Sequence, residues 1–279
     1  TLKMNVYRAW FGSCISTTIL ILSGCGSVQE HLVSSPNLYT TGIDPAPFKD
    51  TPEAVRSTTA KMLYVTDRVR EDTTDGTLKY GHRRSNEAAY GFCEVEFTGP
   101  RQQPLTWEQL TQFSVSKKRP ARVFTHGTKV EQIGQVPSPR ANNCGRVGAT
   151  WKISEAYKTA YRDESRKFND LVSEYTKEIS RKEAFVYVHG ISTSFNQSAR
   201  TMAQLWHMMG RQGVPIIYTW PSGHAGLLRG YNYDRESSEF TVLHFKTFLQ
   251  VLAQNPDIEK INILAHSRGT DVTVSALRE

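Results

Sequence analysis

Ser267 is the residue in this chain whose surroundings most plainly suggest chemistry. It lies in Leu264-Ala265-His266-Ser267-Arg268-Gly269, where the residues two before and two after the serine are small. A serine held in a strained turn between a strand and a helix needs that spacing, because the flanking positions approach one another and large side chains there would collide. Such a turn lifts the hydroxyl above the sheet edge, where it can attack a carbonyl carbon. Alanine stands in place of the first glycine of the G-x-S-x-G pattern, a mild departure. Ile261, Ile263 and Leu264 can supply the strand, and Thr270 to Leu277 the helix, although its β-branched residues are weak helix formers. The competing reading is a serine that merely caps a helix.

A serine alone is a weak nucleophile and needs a base and an orienting acid. Two backbone amides are placed to stabilise the negative oxygen that its attack would create. Val188-His189-Gly190-Ile191 closes another apolar strand, and the glycine lets the chain turn so that Ile191 N–H pairs with Arg268 N–H as an oxyanion hole. The competing reading of His189-Gly190 is a plain strand-to-loop turn. Trp220-Pro221-Ser222-Gly223 closes a further strand and would wall a pocket. Asp234 and Glu236 read as the acidic first turn of a helix, complementing its dipole. His266 is excluded as the base because neighbouring side chains at such a turn diverge, and His126 and His244 are expected to be structural or exposed.

The elements that must position these residues are clearest in the last hundred positions. Apolar strands are predicted at 184–188, 214–220 and 261–265, with helices at 197–209 and 237–253 between them. That alternation, with apolar strand cores, predicts an α/β fold with a mostly parallel sheet and helices on both faces. Ligands in such sheets bind at the carboxyl ends of strands, where Ser267 lies. Upstream, Ile153, Tyr157, Tyr161, Phe168, Val172, Tyr175 and Ile179 recur at helical spacing. Folded structure is expected to begin at the β-prone run 61–66 and to resume at 89–97, with Arg70 to Asn86 as a polar loop. Residues 98–150 show no clean period apart from a short strand at Ala121 to Thr125.

With 279 residues the chain can bury one substantial core. Its net charge of +7 is spread thinly, without a Lys/Arg tract interleaved with aromatics, which argues against nucleic acid as a partner. Residues 1–25 read as a signal segment: Lys3 and Arg8 precede an uncharged run from Ala9 to Leu22 that is too short and interrupted for a confident membrane span. Its end, Leu22-Ser23-Gly24-Cys25, resembles a bacterial lipobox. That resemblance implies cleavage before Cys25, diacylation of that cysteine, and, with Gly26 following, an outer-membrane anchor facing the periplasm. A simple cleaved signal peptide is the alternative. Residues 26–60, rich in Ser, Thr, Pro and Gly, read as a tether, which leaves 61–279 as the folded domain. Cys93 and Cys144 could form a disulfide or remain apart, and neither has metal-ligand spacing.

Taken together, Phe185 to Gly190 with Ser194-Phe195-Asn196, Tyr218 to Ser222, Tyr231 to Ser237 and Leu264 to Gly269 resemble the α/β-hydrolase family known as domain of unknown function 900. Leu63 to Arg68, Tyr80-Gly81 and Tyr90 to Val95 are similar to that family's N-terminal β-rich extension, so the resemblance runs from about residue 61 to 279. It implies a serine hydrolase of esterase or lipase type, with Ser267 as nucleophile, a small ester or lipid-like substrate and no cofactor or metal. In this fold the chain order is Ser, then acid, then His. Both partners are therefore expected beyond Glu279, with the C-terminal part of the fold missing from this chain, as a fragment or a truncated product. The other class of function weighed is a lipid-anchored envelope protein that keeps the hydrolase scaffold without catalysis.

Overall fold

The computed structural model describes residues 30–32, 48–115, 123–138, 144–147 and 150–278. The expected signal segment and Cys25 lie outside the described residues. One seven-stranded sheet organises the chain. In sequence order its strands are β1 (Glu30–His31), β2 (Thr59–Asp72), β3 (Leu78–Thr98), β4 (Phe124–Val136), β7 (Glu183–Val188), β8 (Val214–Thr219) and β9 (Lys260–Ala265). A separate hairpin pairs β5 (Cys144–Val147) with β6 (Thr150–Ile153). The spatial order is β1-β4-β3-β2-β8-β7-β9. The block β2-β8-β7-β9 is parallel, while β1, β4 and β3 extend it by antiparallel pairing.

The helices are α1 (Trp107–Ser114), α2 (Glu155–Thr176), α3 (Phe195–Met208), α4 (Leu227–Leu252) and α5 (Arg268–Arg278). Successive strand residues point to opposite faces. Tyr64 therefore meets Phe195 of α3 on one face, with ring centroids 5.2 Å apart, while β8 presents Tyr218 to Phe245 and Phe248 of α4 on the other. Phe168 of α2 packs edge-on to Tyr90 and Phe248, which places α2 and α4 together on that second face. All six residues of β8 are buried, as expected for a strand covered on both sides. Among the described residues β9 pairs on one side only, and Leu264 is half exposed.

Three expectations change. Arg70 to Asn86 is not a loop: β2 runs to Asp72, β3 starts at Leu78, and only the turn between them is irregular. Much of this hairpin end is exposed on both faces, so no apolar alternation marked it. The region 98–150 holds α1, closed by a reciprocal Thr106–Gln109 capping box, and a 13-residue β4. Cys93, whose pairing the sequence leaves open, is a free, buried thiol. The helix expected from 237 begins at Leu227, behind Gly226 at φ 95°, which places Asp234 and Glu236 well inside α4 rather than in its first turn.

Within the segment read as a tether, Phe48 to Val55 belongs to the packed body. Arg211, buried and stacked over Trp107 and Trp206, donates to Val55 O at 2.9 Å, Gln212 donates to Asp50 O, and Thr51 Oγ1 donates to Gly210 O. Backbone carbonyls make several of these contacts, so side-chain periodicity carries little sign of them.

Candidate active site

β9 delivers its last residues to a turn that α5 closes at once. Ser267 stands there with φ 52°, a left-handed conformation that costs a residue with a Cβ roughly 1–2 kcal/mol and persists only where its surroundings enforce it. The enforcement is visible. His266 N donates to Val188 O at 2.9 Å, Gly269 N to His266 O at 2.9 Å and Thr270 N to Ser267 O at 2.9 Å. Gly269 is pressed against β7: a Cβ there would lie 2.5 Å from His189 O and 2.6 Å from Val188 O, both backbone atoms. The small residue two after the serine is thus required by the adjoining strand end. Ser267 itself is exposed, and among the described residues no side chain hydrogen-bonds its hydroxyl.

The end of β7 lies directly against this turn, since a Cβ on Gly190 would be 3.0 Å from Ser267 Cβ and 3.0 Å from His266 Nδ1. Beyond Gly190 the chain turns through Ile191 and Ser192, the latter also left-handed at φ 55°. Neither Ile191 N nor Arg268 N donates to a described residue. Ser267, Ile191 and Arg268 are therefore gathered at two adjoining strand ends. The Arg268 side chain is engaged separately, donating to Asp271 at 2.6 Å and to Tyr231 Oη at 3.4 Å.

His189 occupies the floor of this rim and is fully buried. Its ring stacks on Trp220 at 5.0 Å, and Trp220 Nε1 donates to His189 O at 2.8 Å. Nδ1 faces Gly190 O at 2.8 Å and must be the protonated nitrogen, which leaves Nε2 as acceptor for Arg68 Nη2 at 3.3 Å. Burial, and then the Arg68 charge, push the imidazole down to a pKa of about 3. This histidine is neutral at ordinary pH, and its acceptor nitrogen is occupied. It positions neighbours and does not take protons.

Two buried charged residues that sequence reasoning did not assign to the site hold its loops. Arg68, at the C-terminal end of the buried part of β2, donates to Thr219 Oγ1, Gly81 O, Ser222 O and Thr193 O at 2.7–2.9 Å. Burial lowers its pKa to about 10, so it remains a cation at neutral pH. Asp234 accepts from Ser192 N at 2.8 Å and from Gly223 N at 3.1 Å. The sequence carries a local sign of Arg68: Thr66-Asp67-Arg68 places polar residues at the end of an apolar strand, and all three are buried. His126 and His244 are also buried. An apolar cavity of about 30 Å³ between α2, α4 and the sheet, with His244 in its wall, includes none of the rim residues.

Residues 164–279 match the family model described as alpha/beta hydrolase of unknown function (DUF900). The match opens within α2 and spans β7 to α5, a shorter stretch than the one over which the motifs resemble that family. No curated protein and no solved structure matches the chain.

Proposed function

We propose, from the premise that this chain belongs to the α/β-hydrolase superfamily, that it works as a serine esterase with Ser267 as nucleophile. The observation that carries the reading is the left-handed Ser267 between β9 and α5, with Gly269 pressed onto the end of β7. In this reading Ser267 Oγ bonds to the ester carbonyl carbon and gives up its proton to a base. The carbonyl oxygen takes the negative charge and receives the Ile191 and Arg268 amides. Collapse expels the alcohol, and water then releases the acyl group from the serine. His189 is not that base, because its Nε2 lone pair is taken up by the Arg68 guanidinium. An acyl anchor on Cys25 would hold the protein at the periplasmic face of the outer membrane, with an ester or lipid-like molecule as substrate.

The test is turnover of p-nitrophenyl butyrate by the full-length protein and by Ser267→Ala. Loss of at least about a hundredfold supports the assignment; equal turnover by the two proteins overturns it. Faster cleavage of a matched anilide than of the ester would mark a peptidase instead. A scaffold retained without catalysis is favoured by the absence, among the described residues, of a hydrogen-bond partner for the Ser267 hydroxyl. It would give no Ser267-dependent turnover of any ester. For the anchor, Cys25→Ala should release the protein from membranes, and continued membrane partitioning counts against acylation.

A further inference from the structure

We infer that Arg68 and Asp234 are positioning residues for the oxyanion hole, clamping the Gly190–Thr193 loop from opposite sides so that the Ile191 amide stays aimed at the reacting oxygen. The inference rests on the esterase reading above. Both side chains are almost wholly buried, and burying a charge costs several kcal/mol unless it is well partnered. Neither forms a salt bridge with the other. Arg68 spends four of its five hydrogen bonds on the rim: Thr193 O, Ser222 O, Thr219 Oγ1 and His189 Nε2. Asp234 reaches down from α4 and accepts from Ser192 N and Gly223 N, so the same carboxylate ties the loop after β7 to the loop after β8.

The consequence for the loop is specific. Ser192 is held left-handed, an arrangement with no glycine to ease it. Its amide is bound by Asp234, and the Thr193 amide by Ser222 Oγ at 3.3 Å, while Thr193 O is bound by Arg68 at 2.7 Å and Ser222 Oγ at 2.8 Å. The Ile191 amide just before them has no acceptor among the described residues. A loop pinned at its next two residues presents that amide in a fixed direction, and pre-set donors contribute most because they need no reorganisation as charge develops. Displacement by about 1 Å is enough to cost roughly a hundredfold in rate.

Asp234→Asn keeps the size but puts an NH2 group where N–H groups must be accepted, and Arg68→Lys keeps the charge but loses the fork. In the full-length protein each should lower kcat for p-nitrophenyl butyrate by about 10- to 100-fold with KM within about twofold, the pattern of an interaction made only in the transition state. Hydrogen exchange at the Ser192 and Gly223 amides should speed up in Asp234→Asn by at least about tenfold while the β7 amides keep their protection. A role in folding alone would leave kcat per Ser267 active site unchanged. If Asp234→Asn does not fold, Ser222→Ala loosens the same loop without touching either charge and should lower kcat in the same way. Ser267-dependent turnover that is indifferent to these substitutions, or unchanged exchange at Ser192, overturns this inference alone. Turnover independent of Ser267 overturns the esterase reading and this inference with it.

Discussion

Lowering the pH from 7 to 5 should remove about 2 kcal/mol of stability through His189 alone. The unfolded imidazole titrates near 6.5 and the folded one near 3, so between those values the unfolded state carries the extra proton. Stability contributed by this residue is therefore complete above pH 6.5 and is lost as the pH falls toward 3. At pH 5 the unfolded ring is about 97% protonated and the folded ring almost wholly neutral, which with about 1.36 kcal/mol per pH unit gives the stated loss. The assay is urea unfolding at both pH values for the unsubstituted protein and for His189→Gln, which cannot titrate. The difference of the two differences isolates His189. His207, whose pKa burial also pushes down, shifts stability the same way in both proteins. Asp67, whose pKa burial raises, shifts it the opposite way as the pH rises above its unfolded value, again in both. A double difference under about 0.5 kcal/mol would mean that the folded protein protonates His189 freely, and the case against it as a proton acceptor at the site would fail.

Two further outcomes follow from the packing. Gly269→Ala should destabilise the protein by about 1–3 kcal/mol in urea unfolding, because its Cβ would press on the carbonyl oxygens of Val188 and His189, whereas Ala265→Gly should cost less than about 1 kcal/mol. Equal costs would mean that β7 and the serine turn are not in close contact. Cys93, buried in the C-terminal half of β3 with its thiol pushed upward in pKa, should resist maleimide in the folded protein and react once urea unfolds it. Rapid modification without unfolding would contradict its place in the core.

The parallel half of the sheet was legible because β7 and β8 are covered on both faces and read as unbroken apolar runs, and the serine turn was legible because Ala265 and Gly269 flank it at the required spacing. The outer end of the β2–β3 hairpin was not, since Arg70, Glu71, Lys79 and Arg83 are exposed and leave no alternation to follow. Asp234 was misplaced by a local cue. An acid ahead of an apolar run is a fair sign of a helix start, but its partner Ser192 is 42 residues away in sequence. Arg68 is the extreme case, with Thr219, Ser222, His189 and Thr193 all more than a hundred residues distant. Contacts of that range leave no periodic trace. The only local hint is polar residues at the end of an apolar strand.

The claim that Ser267 is a nucleophile is tested most directly by treating the folded protein with a fluorophosphonate and mapping the adduct by peptide mass. A single adduct on Ser267 is expected, lost in Ser267→Ala and lost when the protein is unfolded before treatment, because an ordinary serine hydroxyl reacts slowly with such reagents. An adduct on another residue, or none on the folded protein, would contradict it.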